Sequence, residues 1–335
     1  MRISKYIPAM TSIINTGLNN RPALSNVYIH NGSFRVCNLE QELTVYDSTD
    51  GDIDCLIPFA TFAKFAKNKD AIRYAEQSGG KIELISGKSK LTLPCFNVDF
   101  PEIPDLSDGE RYIIDDFNGF ITQLDRVSKF ANKERDRYDL NCVLLENSSI
   151  VATDRVVLRH EFTTGMPVNR MVLPLNSVKH MVQICKAYNG DNVQFVYNHN
   201  IFSIVSDEFT YTTRTMDTQF PRYTEAVDKY GTTTDAISIA ELKSCIDSLN
   251  TIYVDGIANF SMENGLCNYE TPLGKMQYQL FDGDHERIGI NLGYLEHYMN
   301  SVKKIESMRF GIQGFKKPFI MKDEFGTLFC SPTSV

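Results

Sequence analysis

Residues 172–188 read VLPLNSVKHMVQICKAY, a short apolar run that reaches a proline and continues as an amphipathic helix. Two other segments share this plan: LIPFATFAKFAKNK at 56–69 and IGINLGYLEHYMNSVKK at 288–304. Proline suits the first turn of a helix, and asparagine can cap one. The residues at the equivalent point are 116 and then 117 positions apart: Pro58, Pro174 and Asn291. The spacing predicts three copies of one structural unit.

Each copy also begins with a second helical pattern, in which apolar residues recur at core spacing. These patterns lie at residues 5–15, 115–134 and 238–250. Between the helices run short alternating or β-branched stretches with turn residues, such as NVQFVYNHNIFSIVS at 192–206, which are typical of antiparallel hairpins. The sequence therefore predicts an α+β protein of three repeated domains, each with two helices packed on antiparallel sheets. The expected domain boundaries are 1–108, 109–228 and 229–335.

The composition is that of a soluble globular protein, with 42% hydrophobic and 23% charged residues. The first residues, MRISKYIPAMTSIIN, lack the long apolar block of a secretory signal and favour a first helix of the fold. The eight cysteines form no CxxC pair and stand in apolar runs, which favours reduced, buried thiols over disulfides or a zinc site. We therefore expect a cytoplasmic protein with no metal and no cofactor.

The formal net charge of −8 argues against a whole surface that coats nucleic acid. Lysines and arginines nevertheless recur on the predicted helices, on the side away from the apolar stripe, as Lys179 and Lys186 do on the helix from 174. On one helix alone this pattern fits an ordinary solvated face. If the equivalent helices of three repeats line one surface, that surface is basic and contacts phosphates without reading bases.

Five short motifs, in order along the chain, resemble those of bacterial sliding clamps, the beta subunit of the replicative DNA polymerase. VATDRVVLRHEF (151–162) resembles the ATDG-x-RL corner of that family, and QFPRY (219–223) resembles its FPxY segment. INLGYLEHYM (290–299) resembles its N-x-x-YL helix start. NNRPALSNVYI (19–29) resembles its R-P-x-L-x-N element, and DFPEIP (99–104) the end of its first domain. The chain is shorter than is usual in the family, which suits a member encoded by a phage or another mobile element; a phage-encoded member would act in the host cytoplasm.

The resemblance implies a head-to-tail homodimer that forms a ring of six similar domains around double-stranded DNA, without reading its sequence. Such a ring slides on the duplex and tethers the replicative DNA polymerase, after a clamp loader has placed it there. It is not an enzyme. The residues expected to face the DNA are Lys5, Arg21, Lys64, Lys67, Arg126, Lys129, Lys133, Lys179, Lys186, Lys243, Lys303 and Lys304.

The same resemblance implies a groove between the second and third domains, where short peptides of the polymerase and the loader dock. An apolar groove with a few fixed polar groups suits aliphatic and aromatic anchors. Taken alone, the Thr-Asp pair is equally explained as an ordinary hairpin corner. The residues expected in the groove are Leu140, Thr153, Asp154, Arg155, Val157, Leu158, Pro221, Asn291, Tyr294, Ser331, Pro332 and Thr333.

The groove positions depart from the family pattern in several places. Arg155 stands where the family has glycine after the aspartate, and Val157 replaces an arginine. Glu225 or Ala226 replaces a basic residue, and the tail reads CSPTSV in place of a Met-Pro-Met sequence. We expect a remodelled groove that prefers the peptide of its own polymerase to a standard clamp-binding peptide.

Ring closure is expected at the edge strand KSKLTLPC (88–95), through Leu91 and Leu93, against the surface of the third domain near Leu249. These leucines are equally compatible with ordinary core positions.

Two other classes of function remain open from the sequence. A hydrolase could use Cys142 and His160, with Asp154 close in sequence. A β-rich virion or receptor-binding protein could also be built from three similar parts; such a protein would ignore DNA.

Overall fold

The structure is a computed structural model, and two compact units make up the chain. Met1–Thr122 and Asn176–Asp217 supply the first unit, whereas Gln123–Thr164, Val168–Leu175 and Thr218–Val335 supply the second. The described residues are 3–16, 22–46, 53–69, 72–77, 79–97, 99–101, 103, 106, 108–134, 136–163, 170–190, 192–230, 235–302, 305–314 and 316–334.

Seven α-helices and twenty-three strands occur within these residues. The helices are α1 (Ile7–Thr16), α2 (Phe59–Ala66), α3 (Phe117–Ser128), α4 (Leu175–Ala187), α5 (Thr224–Tyr230), α6 (Ile239–Asn250) and α7 (Leu292–Ser301). The strands of the first half are β1 (Asn26–His30), β2 (Ser33–Cys37), β3 (Gln41–Tyr46), β4 (Asp54–Pro58), β5 (Arg73–Gln77), β6 (Lys81–Ser86), β7 (Ser89–Pro94), β8 (Glu110–Ile113), β9 (Cys142–Glu146), β10 (Ser149–Thr153), β11 (Val157–Phe162) and β12 (Met171–Pro174). Those of the second half are β13 (Val193–Tyr197), β14 (Ile201–Ser206), β15 (Phe209–Arg214), β16 (Asp235–Ser238), β17 (Asn259–Glu263), β18 (Leu266–Thr271), β19 (Gly274–Gln279), β20 (Ile288–Asn291), β21 (Ser307–Gly311), β22 (Phe319–Lys322) and β23 (Gly326–Cys330).

The first unit is built on an eight-stranded antiparallel sheet in the order β4-β1-β2-β3-β15-β14-β13-β8, beside a small sheet β5-β6-β7. Helix α1 packs on β2 and β3, and α2 packs on β1 and on α1. The core between helices and sheet is dense in aromatic rings, with Phe34, Phe62 and Phe209 fully buried. Each such ring contributes about 2–3 kcal/mol by leaving water, so this face fixes the sheet under its helices.

The second unit has the same design. Its eight-stranded sheet runs β12-β9-β10-β11-β23-β22-β21-β16, and a four-stranded sheet runs β19-β18-β17-β20. Helix α6 packs on β19 and β16 and contacts α7. Because the helices lie on antiparallel sheets, the predicted α+β class is confirmed.

The repeat predicted from sequence is visible in the strand order. Four strands recur in one topology, as β4-β1-β2-β3, β12-β9-β10-β11 and β20-β17-β18-β19, and each set is followed by a helix and a meander of three strands. Both eight-stranded sheets join the four-stranded set of one repeat to the meander of the next. The two compact units therefore do not follow the expected boundaries 1–108, 109–228 and 229–335, which stay a prediction.

The amphipathic pattern of α4 shows why the sequence forms these helices. The predicted core positions Val178, Met181, Val182, Cys185 and Tyr188 are all buried, and Lys179, Gln183 and Lys186 are exposed. Asn291 caps α7 as expected, since its side chain accepts a hydrogen bond from the backbone N–H of Gly293. Helix α5 was not predicted; no side chain in it is buried.

The eight cysteines are free thiols, and Cys95 is half-buried while the rest are buried. Among the residues that the structure describes, no helix combines the length and the apolar character needed to cross a membrane. The same residues contain no group of three or more potential metal ligands.

Candidate functional site: a groove beside the Thr-Asp corner

The corner at 151–162 is an Asx turn between β10 and β11. Asp154 Oδ1 accepts hydrogen bonds from the backbone N–H of Val156 at 2.9 Å and of Val157 at 2.7 Å. Thr153 Oγ1 donates to the carbonyl of Val157 at 2.7 Å and accepts from the N–H of Arg155 at 3.0 Å. The Thr153 and Asp154 side chains therefore close the corner itself, whatever binds beside it.

Arg155 occupies the left-handed backbone region, with φ of 82°. Glycine takes this conformation without strain, which accounts for the glycine of the family pattern. The equivalent corner of the first repeat, Asn38–Gln41, has Leu39 at φ of 75° and the same pair of hydrogen bonds to Asn38 Oδ1. The corner therefore tolerates a side chain here, and the Arg155 guanidinium turns outward to Asp139 at 3.0 Å.

A cavity of about 500 Å³ opens beside this corner within the second unit. It is bounded by the chain that follows α3, by the corner, and by the first turns of α7. The lining residues are Lys129, Phe130, Ala131, Asn132, Lys133, Glu134, Asp154, Val157, Asn291, Gly293, Tyr294 and His297. The lining combines aromatic and aliphatic surface with amide, imidazole and charged groups.

Four of the expected groove residues line this cavity: Asp154, Val157, Asn291 and Tyr294. Leu140 and Thr153 are buried behind it, and Leu158, Pro221 and Pro332 are half-buried outside the lining. The tail is held beside the corner, because the N–H of Ser331 donates to the carbonyl of Val156 at 2.8 Å and that of Thr333 to Gly289 at 3.0 Å. The groove assignment as a whole stays a prediction.

Tyr294 and His297 stand one turn apart on the wall that α7 contributes. Burial, followed by the charge of Asp154, raises the pKa of Tyr294, so its hydroxyl stays protonated. Burial lowers the pKa of His297, and its Nε2 pairs with the carbonyl oxygen of Lys129 at 2.9 Å. A neutral imidazole donates that hydrogen bond, which fixes the chain after α3 against α7.

The sequence analysis missed six residues that line the cavity: Phe130, Ala131, Asn132, Glu134, Gly293 and His297. A signal for His297 was present, because His180 stands at the same position of the equivalent helix.

Arg126 corrects an expectation. It was predicted to turn outward toward DNA, but it is 5% exposed and makes two 2.6 Å hydrogen bonds to Glu161. Arg159, which is fully buried, joins Glu161 to Asp323 through bonds of 2.8–2.9 Å. The expectation for Arg126 considered only the charge of its side chain. The guanidinium also presents several hydrogen-bond donors in a fixed plane, and the buried carboxylates bind these donors and hold the side chain inside the protein.

The other residues expected at the DNA face fall into three groups. Lys5 is half-buried and paired with Glu208 at 2.5 Å, while Lys129 and Lys133 line the cavity beside the corner. Arg21, Lys303 and Lys304 lie outside the described residues. The exposed residues on the helices are Lys64, Lys67, Lys179, Lys186 and Lys243.

The residues expected at the ring closure differ in their positions: two lie on an edge strand and one lies in the core. Strand β7 is an edge strand of its sheet, with Leu91 half-buried and Leu93 buried. Leu249 is fully buried inside α6 and cannot serve as a surface contact. Its place in the apolar stripe of the helix, beside Leu242 and Ile246, is the reason.

The hydrolase reading gains no support from the geometry. Cys142 is fully buried, burial raises its pKa to about 12, and its Sγ donates to the carbonyl of Asp139. His160 is buried against Ser149 Oγ at 3.0 Å, and burial followed by the charge of Arg159 lowers its pKa to about 4. A protonated thiol and an imidazole with other partners do not form a nucleophile and base pair.

Comparison with known proteins points to one fold. No family model matches the sequence. A beta sliding clamp of Proteus mirabilis is 22% identical over 248 residues, which cover 68% of this chain and 66% of that protein. The match thus spans slightly less than two thirds of the length of that relative.

Solved structures match the entire chain. A DNA polymerase sliding clamp from Pseudomonas aeruginosa superposes with a TM-score of 0.82 at 18% identity, covering 100% of this chain and 99% of that one. A beta sliding clamp from C. crescentus gives 0.84 at 18% identity, covering 100% and 97%. The DNA polymerase III beta subunit of Thermotoga maritima gives 0.83 at 16% identity, also covering 100% and 97%. The resemblance carried by five short motifs is thereby supported along the whole chain, and this protein has the fold of the bacterial beta sliding clamp.

Proposed function

We propose that this protein is a DNA polymerase processivity factor: a homodimeric ring that encircles duplex DNA, slides on it, and holds a polymerase through the groove beside Asp154. The single observation that carries the proposal is a strand junction between successive repeats. It forms twice within the described chain, and the two strands that would form a third such junction have unpaired edges. The virion and hydrolase alternatives have no comparable support.

The junction joins the four-stranded set of one repeat to the meander of the next. Strand β3 pairs with β15, and β11 pairs with β23, both antiparallel. The third such pair would be β19 with β7. In the described chain, β19 pairs only with β18 and β7 pairs only with β6, so both edges stay open. If β19 of each copy pairs with β7 of the other, two identical junctions form, and the six repeats of the two copies close into a ring.

The register of the open junction follows from the two formed ones. Leu43 faces Tyr211, and Arg159 faces Leu328. In each case both residues stand the same distance beyond their own hairpin turn. The equivalent residues are Met276, which faces Tyr269 in its hairpin, and Leu91, which faces Leu84. We therefore expect Met276 of one copy to face Leu91 of the other.

One exposed apolar side chain lies beside each open edge. Leu273, in the turn before β19, is 66% exposed, and Phe96, just past β7, is 44% exposed. In the formed junctions, the backbone N–H groups of Arg214 and Ser331 donate to the equivalent turns. Pro94 takes their place in β7 and has no N–H, so the junction between copies lacks one ladder hydrogen bond. A junction that must open for DNA to enter benefits from such a weakening.

The helices of each unit offer a surface for duplex DNA. In the first unit, Lys67 is exposed at the C-cap of α2, and Lys179 and Lys186 are exposed on α4; in the second unit, Lys243 is exposed on α6. Point charges on short helices attract phosphates without a preferred register, which permits sliding. The exposed acidic residue Glu241, in the first turn of α6, keeps this attraction weak.

The groove beside Asp154 suits a partner that carries aromatic or aliphatic anchors, namely a peptide segment of the replicative polymerase or of a clamp loader. Tethering by such a segment raises the effective concentration of the polymerase at the primer end. The outward Arg155 and the tail at Ser331 distinguish this groove from the family pattern and favour a dedicated partner.

The register is tested with one disulfide pair. Leu43 and Tyr211 form a non-hydrogen-bonded pair, and at the equivalent position Leu91→Cys and Met276→Cys would bring two Cα atoms to about 4.5 Å, within disulfide range. Mild oxidation should give covalent dimers that dithiothreitol separates. Thr92→Cys with Met276→Cys is the matched control, because Thr92 points to the opposite face of its strand. Cross-linking in the control alone would refute the register.

The ring is tested with the same variant. The Leu91→Cys/Met276→Cys protein is mixed with nicked plasmid, oxidised, and washed at high salt to remove everything that is not topologically linked. We expect protein to remain on circular plasmid and to leave when a restriction enzyme linearises it. Equal loss from circular and linear DNA would refute the proposed function.

A further inference from the structure

The second helix of each repeat carries one position whose side chain meets a neighbouring repeat. These helices begin after the residues Pro58, Pro174 and Asn291. Six positions further on stand Lys64 in α2, His180 in α4 and His297 in α7.

Two of the three side chains tie their helix to the first helix of the preceding repeat. His180 Nε2 lies 2.7 Å from Ser12 Oγ in α1. His297 Nε2 donates to the carbonyl oxygen of Lys129 at 2.9 Å, directly after the end of α3. The contact therefore accompanies each strand junction formed within the chain, β3 with β15 and β11 with β23.

Lys64 has no preceding repeat in its own chain. It is exposed, and it makes no ion pair within 4 Å among the residues the structure describes. Each repeat begins with one helix, namely α1, α3 and α6. His180 contacts α1 and His297 contacts the end of α3, so α6 is the one of these three helices without such a contact among the described residues. Helix α6 belongs to the third repeat, as does the open strand β19.

The last turn of α6 is suited to a cation. Asp247 is exposed and also makes no ion pair among described residues, and Thr251 stands four positions later on the same helix face. The equivalent residues of α3 are Asp125 and Lys129, and the carbonyl of Lys129 is the one that His297 contacts. The carbonyl groups at a helix C-terminus carry partial negative charge, which adds to the charge of Asp247.

We propose that Lys64 of one copy binds the last turn of α6 in a second copy, with Asp247 as its ion-pair partner. The proposal rests on the homodimer proposed above and names a polar contact that orients it. A lysine is longer than a histidine, so from the same helix position it reaches both the carbonyl of Thr251 and the carboxylate one turn before. Lys64 is then a subunit-interface residue and is withdrawn from the DNA-facing set.

The matched control is Lys67, an exposed lysine three residues further along, at the C-cap of α2. In a purely DNA-facing role, Lys64→Glu and Lys67→Glu should weaken DNA binding alike and leave the dimer unchanged. In the interface role, only Lys64→Glu weakens the dimer.

The experiment measures the dimer dissociation constant by sedimentation velocity, without DNA, at low salt. We expect Lys64→Glu and Asp247→Lys each to weaken the dimer about tenfold or more, since each places like charges together. The double variant Lys64→Glu/Asp247→Lys should return to within about threefold of the parent, because the pair is restored with its charges exchanged. Circular dichroism checks that each variant is folded.

Failure of this proposal and failure of the dimer are distinguishable. If Leu91→Cys/Met276→Cys cross-links while the charge-exchanged variant stays as weak as the single ones, the Lys64 contact is refuted and the ring stands. If Lys67→Glu weakens the dimer as much as Lys64→Glu, the contact is also refuted. A parent protein that sediments as a monomer at every concentration, and does not cross-link, would overturn both.

Discussion

Replacing Arg159 with methionine should test how strongly the second unit depends on its buried charges. Arg159 is fully buried and makes three hydrogen bonds to carboxylates, one to Glu161 and two to Asp323. Glu161 keeps Arg126 as a partner after the change, at 2.6 Å. Asp323 keeps only neutral donors, namely the hydroxyl of Tyr298 and two backbone N–H groups. The substitution therefore leaves one buried carboxylate without a cation.

Removing one partner of a buried ion pair costs about 3–5 kcal/mol. For a unit of this size, such a loss lowers the melting temperature by roughly 6–20 °C. Lys275→Met is the matched control, because Lys275 pairs with Glu270 at 3.1 Å with both side chains more than two thirds exposed. Exposed pairs contribute about 0–1 kcal/mol, so the control should melt close to the parent.

The assay is thermal and urea unfolding followed by circular dichroism. Adding Asp323→Asn to Arg159→Met removes the unpaired charge and keeps an acceptor for Tyr298. The double variant should therefore recover part of the stability that Arg159→Met loses. Burial opposes the ionisation of Asp323, but the bonds and charge of Arg159 outweigh it and hold the pKa of Asp323 below its usual value. That stabilisation exists above the unfolded pKa near 4 and is lost as pH falls through the folded value, so the gap between parent and Arg159→Met should narrow in acid. A gap that is independent of pH, or a double variant no better than the single one, would refute the electrostatic account.

Two further predictions concern acid stability and the tail. Burial, followed by the charge of Lys179, lowers the pKa of His180 to about 4, so the stability it contributes is complete above the unfolded pKa of about 6.5 and is lost as pH falls toward 4. Between pH 7.5 and 4.5, the free energy of unfolding measured in urea should fall by up to about 3 kcal/mol less in His180→Gln than in the parent. An equal fall in both proteins would contradict this account. A Cβ on Gly289 would overlap the carbonyl oxygen of Thr333, so Gly289→Ala should detach the C-terminal segment at a cost of about 1–3 kcal/mol. Hydrogen exchange at the Thr333 amide should accelerate in that variant, and unchanged protection would show that the tail adapts.

The repeat and the secondary structure could be predicted from the sequence, because both depend on interactions between residues close together in the chain. Periodic apolar residues predicted the buried face of α4, and a proline or asparagine at each helix start predicted where the second helices begin. Spacings of 116 and 117 residues between those starts revealed three copies without any knowledge of contacts. The Asx corner at Asp154 was also readable, since its hydrogen bonds stay within four residues.

The positions of individual charged residues could not be predicted from the sequence, because their partners are distant in the chain. The sequence pattern placed Arg126 and Lys129 on the outward face of one helix, yet Arg126 is buried against Glu161 and Lys129 lines the cavity. Glu161 is 35 positions away from Arg126 in sequence, so local periodicity contains no information about that pair. His297 and Phe130 likewise reach the cavity only because α7 packs on the end of α3.

The sequence by itself determined that three similar α+β modules follow one another, since helix and strand patterns depend on residues a few positions apart. Only the tertiary structure decided which strand of one module pairs with which strand of the next, and that β7 and β19 are left over. Pairings of this kind join residues more than a hundred positions apart, and their energy comes from surfaces that exist only after each module has folded.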